Sequence, residues 1–343
     1  MARIVLILVL VLSGFSYQNE YFRSEKSVTD ANLRGISTVS DKVIWLSGTK
    51  GTVLRTLEYG ISWQKLPVPG AENLDFRDIQ AFDDKTAFIL AAGPGEQSRI
   101  YKTEDGGEHW QLQFTNPEPK AFYDCMAFWD RNHGIAISDA VDGKFVLLST
   151  SDGRTWVPLH PRTLPAALPN EGAFAASGTC LVTFGKRDAW FATGGPAARV
   201  FHSSDRGETW TVANTPILSG EASQGIFSVL FWSAKDGVIV GGDYKKPDLA
   251  EKNAAVTHDG GKTWTLASKP PSGYRSAVAR DTYPSPPVLV AVGINGADAS
   301  YDGGKIWSSI AREEYNAISF GPSTGWLVGP QGRMTSRHRR LKR

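Results

Sequence analysis

The sequence predicts an all-β protein built as a single seven-bladed β-propeller, and three observations lead to this prediction. Six similar stretches end in tryptophan at intervals of 43 to 54 residues, enough chain for four short strands and their turns. The same order of strand-like segments recurs between them. The chain has 35 glycines and an aromatic content of 11%, which is typical of short strands joined by tight turns. No window shows sustained helical periodicity.

Each tryptophan stretch begins with Ser or Thr, has an acid two residues later, and then a glycine. The stretches are residues 56–63, 103–110, 150–156, 203–210, 257–264 and 300–307. A hydroxyl and a carboxylate two residues apart can bond to the backbone of their own turn, and the glycine permits a positive φ. The tryptophan then opens the returning strand and packs on a neighbouring unit. We therefore predict structural roles for Glu58 and Trp63, Asp105 and Trp110, Asp152 and Trp156, Asp205 and Trp210, Asp259 and Trp264, and Asp302 and Trp307.

Two apolar segments precede each tryptophan turn and predict the inner strands of a blade. The first segments are residues 34–39, 77–82, 123–128, 178–184, 227–232, 275–280 and 315–320. The second segments are residues 43–48, 86–93, 134–138, 189–194, 237–242, 288–293 and 325–329. A third strand leads into the turn, and the strand opened by tryptophan completes the blade.

The seventh unit has no tryptophan turn and no fourth strand of its own. A spare strand-like segment, residues 20–25, precedes the first unit. An open ring would leave two unpaired sheet edges, which proteins avoid. We therefore predict that this N-terminal segment becomes the outer strand of the seventh blade and closes the ring.

The two ends of the chain differ in composition from its body. Arg3 and the apolar run 4–12 predict an export signal over residues 1–18, cleaved between Ser16 and Asn19, with an uncleaved anchor as the alternative. The propeller is expected over 19–336 and a basic tail over 337–343. We expect a secreted or periplasmic protein.

The formal charge of +2 becomes −3 when the five Lys or Arg of the tail are left out. The body therefore has no basic stripe, and we expect no nucleic-acid binding by it. The tail itself is expected to be a solvated end, with weak attraction to anionic lipid or polymer as the alternative.

The repeated unit resembles the Asp-box, or bacterial neuraminidase repeat. The fuller pattern, AWFATGG at 189–195 followed by RVFHSSDRGETW at 199–210, is similar to the photosystem II stability/assembly factor family. The resemblance covers residues 19–336 and implies the propeller fold strongly but an activity only weakly. Nothing in the sequence implies a photosynthetic host.

Ligand sites of a propeller are expected on the face where loops enter the first strand and leave the second. The candidate ligand-binding residues there are Arg34, Arg77, Tyr123, Asp124, Tyr244 and Arg275. Three arginines could converge on a carboxylate, because guanidinium groups bind carboxylates bidentately. The alternative is that they pair with nearby acids, such as Asp78 and Asp124. The long insert before the fourth blade adds Asn170 and Glu171 to this face.

We expect a non-catalytic, monomeric propeller that binds a protein or peptide. The alternative is a secreted glycoside hydrolase of the sialidase-like type, acting on a glycan through carboxyls drawn from Asp124, Asp139, Glu171 and Asp243. Sialidases, however, have six blades and an Arg-Ile-Pro motif that this sequence lacks. The six scattered histidines and the missing dinucleotide fingerprint predict neither a metal site nor a cofactor.

Cys125 and Cys180 lie at what the repeat suggests is the same position in the first strands of adjacent blades. Two cysteines in an exported protein are compatible with a disulfide. The apolar residues at this position in other blades favour two buried thiols instead, and the thiols are our expectation.

Overall fold

Seven four-stranded antiparallel sheets make up the protein in a computed structural model that describes residues 22–338. The predicted seven-bladed β-propeller is therefore confirmed. The only helical elements among the described residues are two short 3₁₀ turns, Gly95–Gln97 and Pro330–Gly332. No helix in this part of the chain is long and apolar enough to cross a membrane. The predicted export signal and residues 339–343 of the predicted tail lie outside the described residues.

Each blade has four strands, and strand numbers increase from the channel outward. The exception is β1, which precedes the first blade in the sequence. The first part of the chain gives β1 (Arg23–Glu25), β2 (Leu33–Thr38), β3 (Ile44–Gly48), β4 (Thr52–Thr56), β5 (Gln64–Lys65), β6 (Phe76–Ala81), β7 (Ala87–Ala91), β8 (Arg99–Thr103) and β9 (Gln111–Thr115). The third and fourth blades are β10 (Tyr123–Phe128), β11 (Gly134–Val141), β12 (Lys144–Thr150), β13 (Val157–Leu159), β14 (Leu181–Phe184), β15 (Asp188–Ala192), β16 (Arg199–Ser203) and β17 (Thr211–Asn214). The last three blades are β18 (Gln224–Phe231), β19 (Gly237–Asp243), β20 (Ala254–Thr257), β21 (Thr265–Leu266), β22 (Ala277–Asp281), β23 (Val288–Gly293), β24 (Gly296–Ser300), β25 (Ser308–Ala311), β26 (Ala317–Phe320), β27 (Thr324–Val328) and β28 (Met334–His338).

The N-terminal strand completes the seventh blade, as predicted. The sheet order of this blade is β1-β28-β27-β26, and Arg23 and Glu25 lie opposite Ser336 and Met334. The hydroxyl of Ser336 also donates a hydrogen bond of 2.5 Å to the Glu25 carboxylate. First and last strands are thus joined across the ring closure.

Strand β28 extends further than the sequence analysis expected. Arg337 and His338 were assigned to the basic tail, but both pair with β27, opposite Gly325 and Thr324. The Arg337 side chain is buried and forms an ion pair of 2.7 Å with Asp281 of the sixth blade. The tail was therefore predicted to begin two residues too early. Strand β28 continues to His338 because β27 still offers residues with which it can pair.

The alternating strand direction gives the propeller two different faces. Loops that enter the first strands and leave the second strands lie on one side, which we call the loop face. The tryptophan turns lie on the other side, which we call the Asp-box face. Because β1 is antiparallel to β28, the described chain both begins and ends at the Asp-box face.

The Asp-box turns are held by their own side chains. In the second blade, the Thr103 hydroxyl donates to Asp105 at 2.9 Å and accepts from the Gly107 backbone N–H at 2.8 Å, with Gly107 at φ +88°. In the third blade, backbone N–H groups, first that of Thr155, lower the pKa of the Asp152 carboxyl to about 2. These carboxylates are therefore occupied by their turns.

The hydrophobic core lies between consecutive sheets and forms seven clusters, one for each pair of neighbouring blades. Each Asp-box turn covers the preceding blade. A Cβ added at Gly60 of the first blade would lie 2.1 Å from the Trp326 ring of the seventh, and Trp63 meets that ring edge-on at 5.4 Å. The contact between the first and last blades is thus packed like the others.

Candidate ligand site at the channel mouth

A β-bulge at the same place in the first strand of four blades positions the candidate site. The bulged residues are Arg34, Arg77, Asp124 and Phe227. A bulge adds an unpaired residue to the strand and redirects its side chain. Two of these residues, Arg77 and Asp124, reach a single residue of the fourth blade's insert, Ala175.

The insert that precedes the fourth blade crosses the channel. We call residues 172–180 the channel segment. Its Ala175 carbonyl accepts a hydrogen bond of 3.2 Å from Arg77 of the second blade, and its Ser177 hydroxyl donates one of 2.9 Å to the Ser276 carbonyl, next to the sixth blade. Phe174 stacks on Phe227 of the fifth blade at 3.9 Å. The channel segment is thus joined to three other blades across the channel.

Two arginines lie together at the mouth above this segment. Arg77 donates to Asp75 at 2.7 Å, and its side chain keeps 29% of its surface exposed. The half-buried Arg34 guanidinium has its pKa lowered first by burial and then by the positive charge of Arg77, so the two groups are neighbours. The Arg34 Nε has no hydrogen-bond partner within the described part of the chain. Arg34 is therefore a cation held close to another cation with unused hydrogen-bonding capacity.

Buried carboxyls also bind the channel segment. The Ala173 backbone N–H donates to Asp139 at 2.9 Å, and Asp124 accepts from the Ala175 backbone N–H. Burial raises the pKa of Asp139 to about 6. Burial and the neighbouring Asp139 carboxylate raise the pKa of Asp124 well above its usual range. The two carboxyls form an interacting pair that serves the segment's backbone.

A third carboxyl, Asp78, lies against the other end of the channel segment. It accepts a hydrogen bond of 2.7 Å from the Met126 backbone N–H, and a Cβ on Gly178 would lie 2.3 Å from its Oδ1. Burial raises the pKa of Asp78 to about 8, against the hydrogen bond from Met126. Gly178 also has φ +75°. Glycine is therefore required both by the lack of space for a Cβ and by the positive φ.

An aromatic group borders the site on the side of the fifth and sixth blades. Tyr274 meets Phe227 edge-on at 4.7 Å, and Tyr244 meets the same ring at 6.1 Å. Tyr274 is buried, whereas Tyr244 is 43% exposed. Tyr244 therefore offers an open apolar surface on the loop face, beyond the arginine pair.

Two of the residues predicted to bind a ligand lie elsewhere. Arg275 is completely buried and pairs with Asp298, Asn295 and Ser272, so it does not join Arg34 and Arg77. Tyr123 is 2% exposed and packs on Phe114 at 5.3 Å. The second difference arises because the first strand of the third blade was read one residue too early. Asp124, not Tyr123, is the bulged residue equivalent to Arg34 and Arg77, and Tyr123 takes the buried place of Leu33 and Phe76.

The remaining candidate acids serve the scaffold. Glu171 is 4% exposed, pairs with Arg199, and accepts a hydrogen bond of 2.6 Å from Thr193. Asp243 is 2% exposed and accepts from Gln224 at 3.3 Å and the Lys245 backbone N–H at 2.9 Å. Both carboxylates are therefore buried and bonded to neighbouring groups of the scaffold.

Cys125 and Cys180 form a disulfide, so the expectation of two free thiols was wrong. The one-residue error in aligning the third blade also applies to Cys125, which follows the bulged Asp124 as Asp78 follows Arg77. The Cys125 sulfur then occupies the place of the Asp78 and Ser228 side chains, each of which accepts a hydrogen bond from a backbone N–H of the next blade. In the third blade the donor is the Cys180 N–H, at 3.3 Å. The Cα atoms are 6.0 Å apart, within the range that a disulfide spans.

Sequence reasoning missed the channel segment, Asp75 and Phe174. The signal for the segment was the 54-residue interval between Trp156 and Trp210, together with the run Gly-Ala-Phe-Ala-Ala-Ser-Gly at 172–178, in which every residue but Phe174 is small. Small side chains are what a crowded channel accommodates. Asp75 had no comparable signal, since it precedes the predicted strand.

Comparisons with known proteins agree with this architecture. The BNR/Asp-box repeat family model matches residues 255–266. The photosystem II assembly protein Ycf48 of Synechococcus sp. (strain JA-2-3B'a(2-13)) is 27% identical over 267 residues, which are 66% of this chain and 72% of that protein. The chain is an Asp-box repeat β-propeller that resembles the photosystem II stability/assembly factor-like family.

Two solved structures share the fold. The structure of YCF48 bound to D1 peptide has a TM-score of 0.65 and 15% identity, and the match covers 93% of this chain and 97% of that one. The virginiamycin B lyase of Staphylococcus aureus has a TM-score of 0.67 and 13% identity, and covers 93% and 99%. One of these proteins binds a peptide and the other is a lyase, so the shared fold by itself assigns no activity.

The buried Asp78 predicts an unusual dependence of stability on pH. Its carboxyl has a pKa of about 8 in the folded protein against 3.8 for the ordinary group. The folded state therefore binds an extra proton between these values, and its stability falls by about 1.4 kcal/mol per pH unit as pH rises through them. We expect Asp78→Asn to gain stability relative to wild type from pH 5 to pH 8, measured by urea unfolding.

The control is Asp142→Asn, which changes an exposed carboxyl. Its unfolding free energy should differ from wild type by a constant amount between pH 5 and pH 8. An Asp78→Asn curve parallel to the wild-type curve would show that Asp78 is ionised in the folded protein at neutral pH.

Proposed function

We propose that this protein is an exported, non-catalytic propeller that binds an acidic segment of a protein or peptide at the channel mouth, through Arg34 and Arg77. The single observation that carries the proposal is the pair of neighbouring cations, in which Arg34 lies next to Arg77. Arg77 has Asp75 as its partner, whereas the Arg34 Nε has none within the described residues. A ligand carboxylate at the mouth would offset the repulsion between the two neighbouring cations, because guanidinium groups bind carboxylates with charge-assisted hydrogen bonds.

The floor of the site supports binding of a segment along the surface. The channel segment crosses the channel next to Arg77, so we expect a ligand to lie across the loop face rather than thread through the ring. Tyr244, with 43% of its surface exposed, could then contact an apolar side chain of the same ligand. The YCF48 structure with a D1 peptide supports peptide binding by a propeller of this kind.

The glycoside hydrolase alternative is less well supported by the geometry. A glycosidase needs two carboxyls that face each other across an open site. Asp124 is only 2% exposed, and it and Asp139 accept hydrogen bonds from Ala175 and Ala173. Glu171 is bound to Arg199. These acids are used to hold the channel segment and the fourth blade.

Export is supported by the leader-like composition of residues 1–18 and by the disulfide. Disulfides persist in oxidising compartments and are rare in the cytosol. The bond between Cys125 and Cys180 is therefore the feature of the folded body that favours an extracytoplasmic location.

The peptide proposal is tested with the double variant Arg34→Gln/Arg77→Gln. Immobilised wild type, exposed to a library of random 15-residue peptides, should enrich sequences rich in Asp and Glu. Each lost charge-assisted contact should weaken binding of an enriched peptide by roughly tenfold or more, measured by fluorescence anisotropy. Binding should also weaken at high salt.

Arg312→Gln is the matched control, because Arg312 is an exposed arginine between the sixth and seventh blades. It should bind the enriched peptides as wild type does. Enrichment of neutral peptides, or equal binding by the double variant, would refute the proposed site.

Export is tested separately by expressing the full chain in a bacterial host and measuring its mass after fractionation. We expect a protein outside the cytoplasm, shortened at a site between Ser16 and Asn19, with no thiol that reacts under denaturing, non-reducing conditions. In the control Cys125→Ala, Cys180 should react. A cytoplasmic protein of full mass with two reactive thiols would contradict export.

A further inference from the structure

A cleft of about 720 Å³ lies at the outer edge of the loop face, between the sixth and seventh blades. Its walls come from the end of β25, from β1 and from the loop between β27 and β28. The site at the channel mouth is built on first strands, whereas this cleft lies between outer strands, so the two are separate. Sites for small molecules typically have volumes of roughly 300 to 1,000 Å³, and we call this cavity the outer cleft.

The outer cleft exists because the chain fills this junction less than the other six. The connector from β25 to β26, residues 312–316, has five residues, whereas the other connectors between blades have seven to 21. The connectors that follow the first and fourth blades bury Val68 and Ile217 between the sheets. In the short connector, residues 312–314 are all exposed, and Tyr315 is the apolar residue that it buries.

A smaller ring at the same junction adds to the space. Each of the other six clusters between blades includes the tryptophan of an Asp-box turn, namely Trp63, Trp110, Trp156, Trp210, Trp264 or Trp307. The cluster between the sixth and seventh blades has Phe22 in that role. Phe22 directly precedes β1, as each tryptophan directly precedes its outer strand, and its ring lines the outer cleft.

Opposite charges line the outer cleft without neutralising one another. They are the carboxylates of Glu25 and Glu313 and the guanidinium groups of Arg312 and Arg333, so the net charge of the lining is zero. Glu313 accepts a hydrogen bond of 3.2 Å from the Arg312 backbone N–H. Within the described part of the chain, however, Glu313 forms no ion pair with either arginine. The outer cleft therefore offers both an unpaired anion and an unpaired cation.

The base of the outer cleft is apolar apart from two hydroxyl groups. Met334, Tyr315 and Thr335 are at most 5% exposed, and the two hydroxyls are hydrogen-bonded at 3.0 Å. Burial raises the pKa of Tyr315, its hydrogen bond with Thr335 lowers that pKa, and the charges of Glu313 and Arg333 act on it with opposite sign. Both charged groups therefore lie near the same buried hydroxyl.

We propose that the outer cleft binds a short zwitterionic peptide, of two or three residues, that carries an apolar side chain. Glu313 would pair with its terminal ammonium and Arg333 with its terminal carboxylate, while the apolar side chain would pack on Met334 and Ile310. Such a peptide supplies what a longer connector supplies at the other junctions, where the shortest connector has two more residues than this one. An acidic peptide gains no net attraction from a lining whose charges cancel.

The test is calorimetric titration of the protein with alanyl-leucine, which wild type should bind. The N-acetylated and C-amidated forms should each bind roughly tenfold more weakly, because each has lost one charge-assisted contact. Glu313→Gln should weaken binding of alanyl-leucine to the same extent but leave the affinity for the acetylated form unchanged. Arg333→Gln should behave in the same way towards the amide. Alanyl-serine should bind roughly tenfold more weakly, since it buries no leucine side chain.

Glu314→Gln is the matched control, because Glu314 is the exposed acid next to Glu313 and does not line the outer cleft. It should bind alanyl-leucine as wild type does. Absence of binding by wild type, equal affinity for free and capped peptides, or an equal loss in Glu314→Gln and Glu313→Gln would overturn the proposal. So would tighter binding of free leucine than of alanyl-leucine, which would identify an amino acid as the ligand. None of these outcomes depends on what Arg34 and Arg77 bind.

Discussion

The pairing of β1 with β28 is the interaction on which the rest of the structure depends. Each blade is a sheet that buries its faces only against its neighbours, and the core is accordingly divided into seven clusters between blades. Every blade of such a ring has two neighbours only if the first and last blades meet. The strand pairing between Arg23–Glu25 and β28 joins the two ends of the chain within one sheet, and it holds Trp326 of that sheet against the first blade.

Closure leaves a central channel, and the fourth blade's insert fills it. The inner strands are not simple repeats, since bulges at Arg34, Arg77 and Asp124 redirect side chains towards that insert and its surroundings. Buried carboxyls bind the insert's backbone, and the disulfide at Cys180 ties its end to the third blade. The candidate site is therefore a surface formed by a rigid ring with an internal floor, which suits recognition of an extended ligand lying over the mouth.

The fold could be predicted from the sequence because its signals are local and repeated. The spacing of acid, glycine and tryptophan specifies a turn six times, and the missing seventh turn pointed to closure by residues 20–25. The site could be predicted only in part. Arg34 and Arg77 were found from the repeat, but the third blade was aligned one residue too early, which misplaced Tyr123, Asp124 and Cys125. The bulged position is Arg, Arg, Asp and Phe in four blades, so no residue type marks it in the sequence. The burial of Arg275 depends on Asp298, a residue of another strand, which no local pattern reveals.

Native-state hydrogen exchange tests the role of closure most directly. If β1 and β28 hold the ring together, their paired amides should exchange only through the same global opening as the buried strand β15 on the far side of the ring, with equal free energies of exchange. The amides of β2 at the junction should share that value. Exchange of β1 and β28 through a much cheaper local opening, while β2 and β15 stay protected, would show that the ring is stable without its closure.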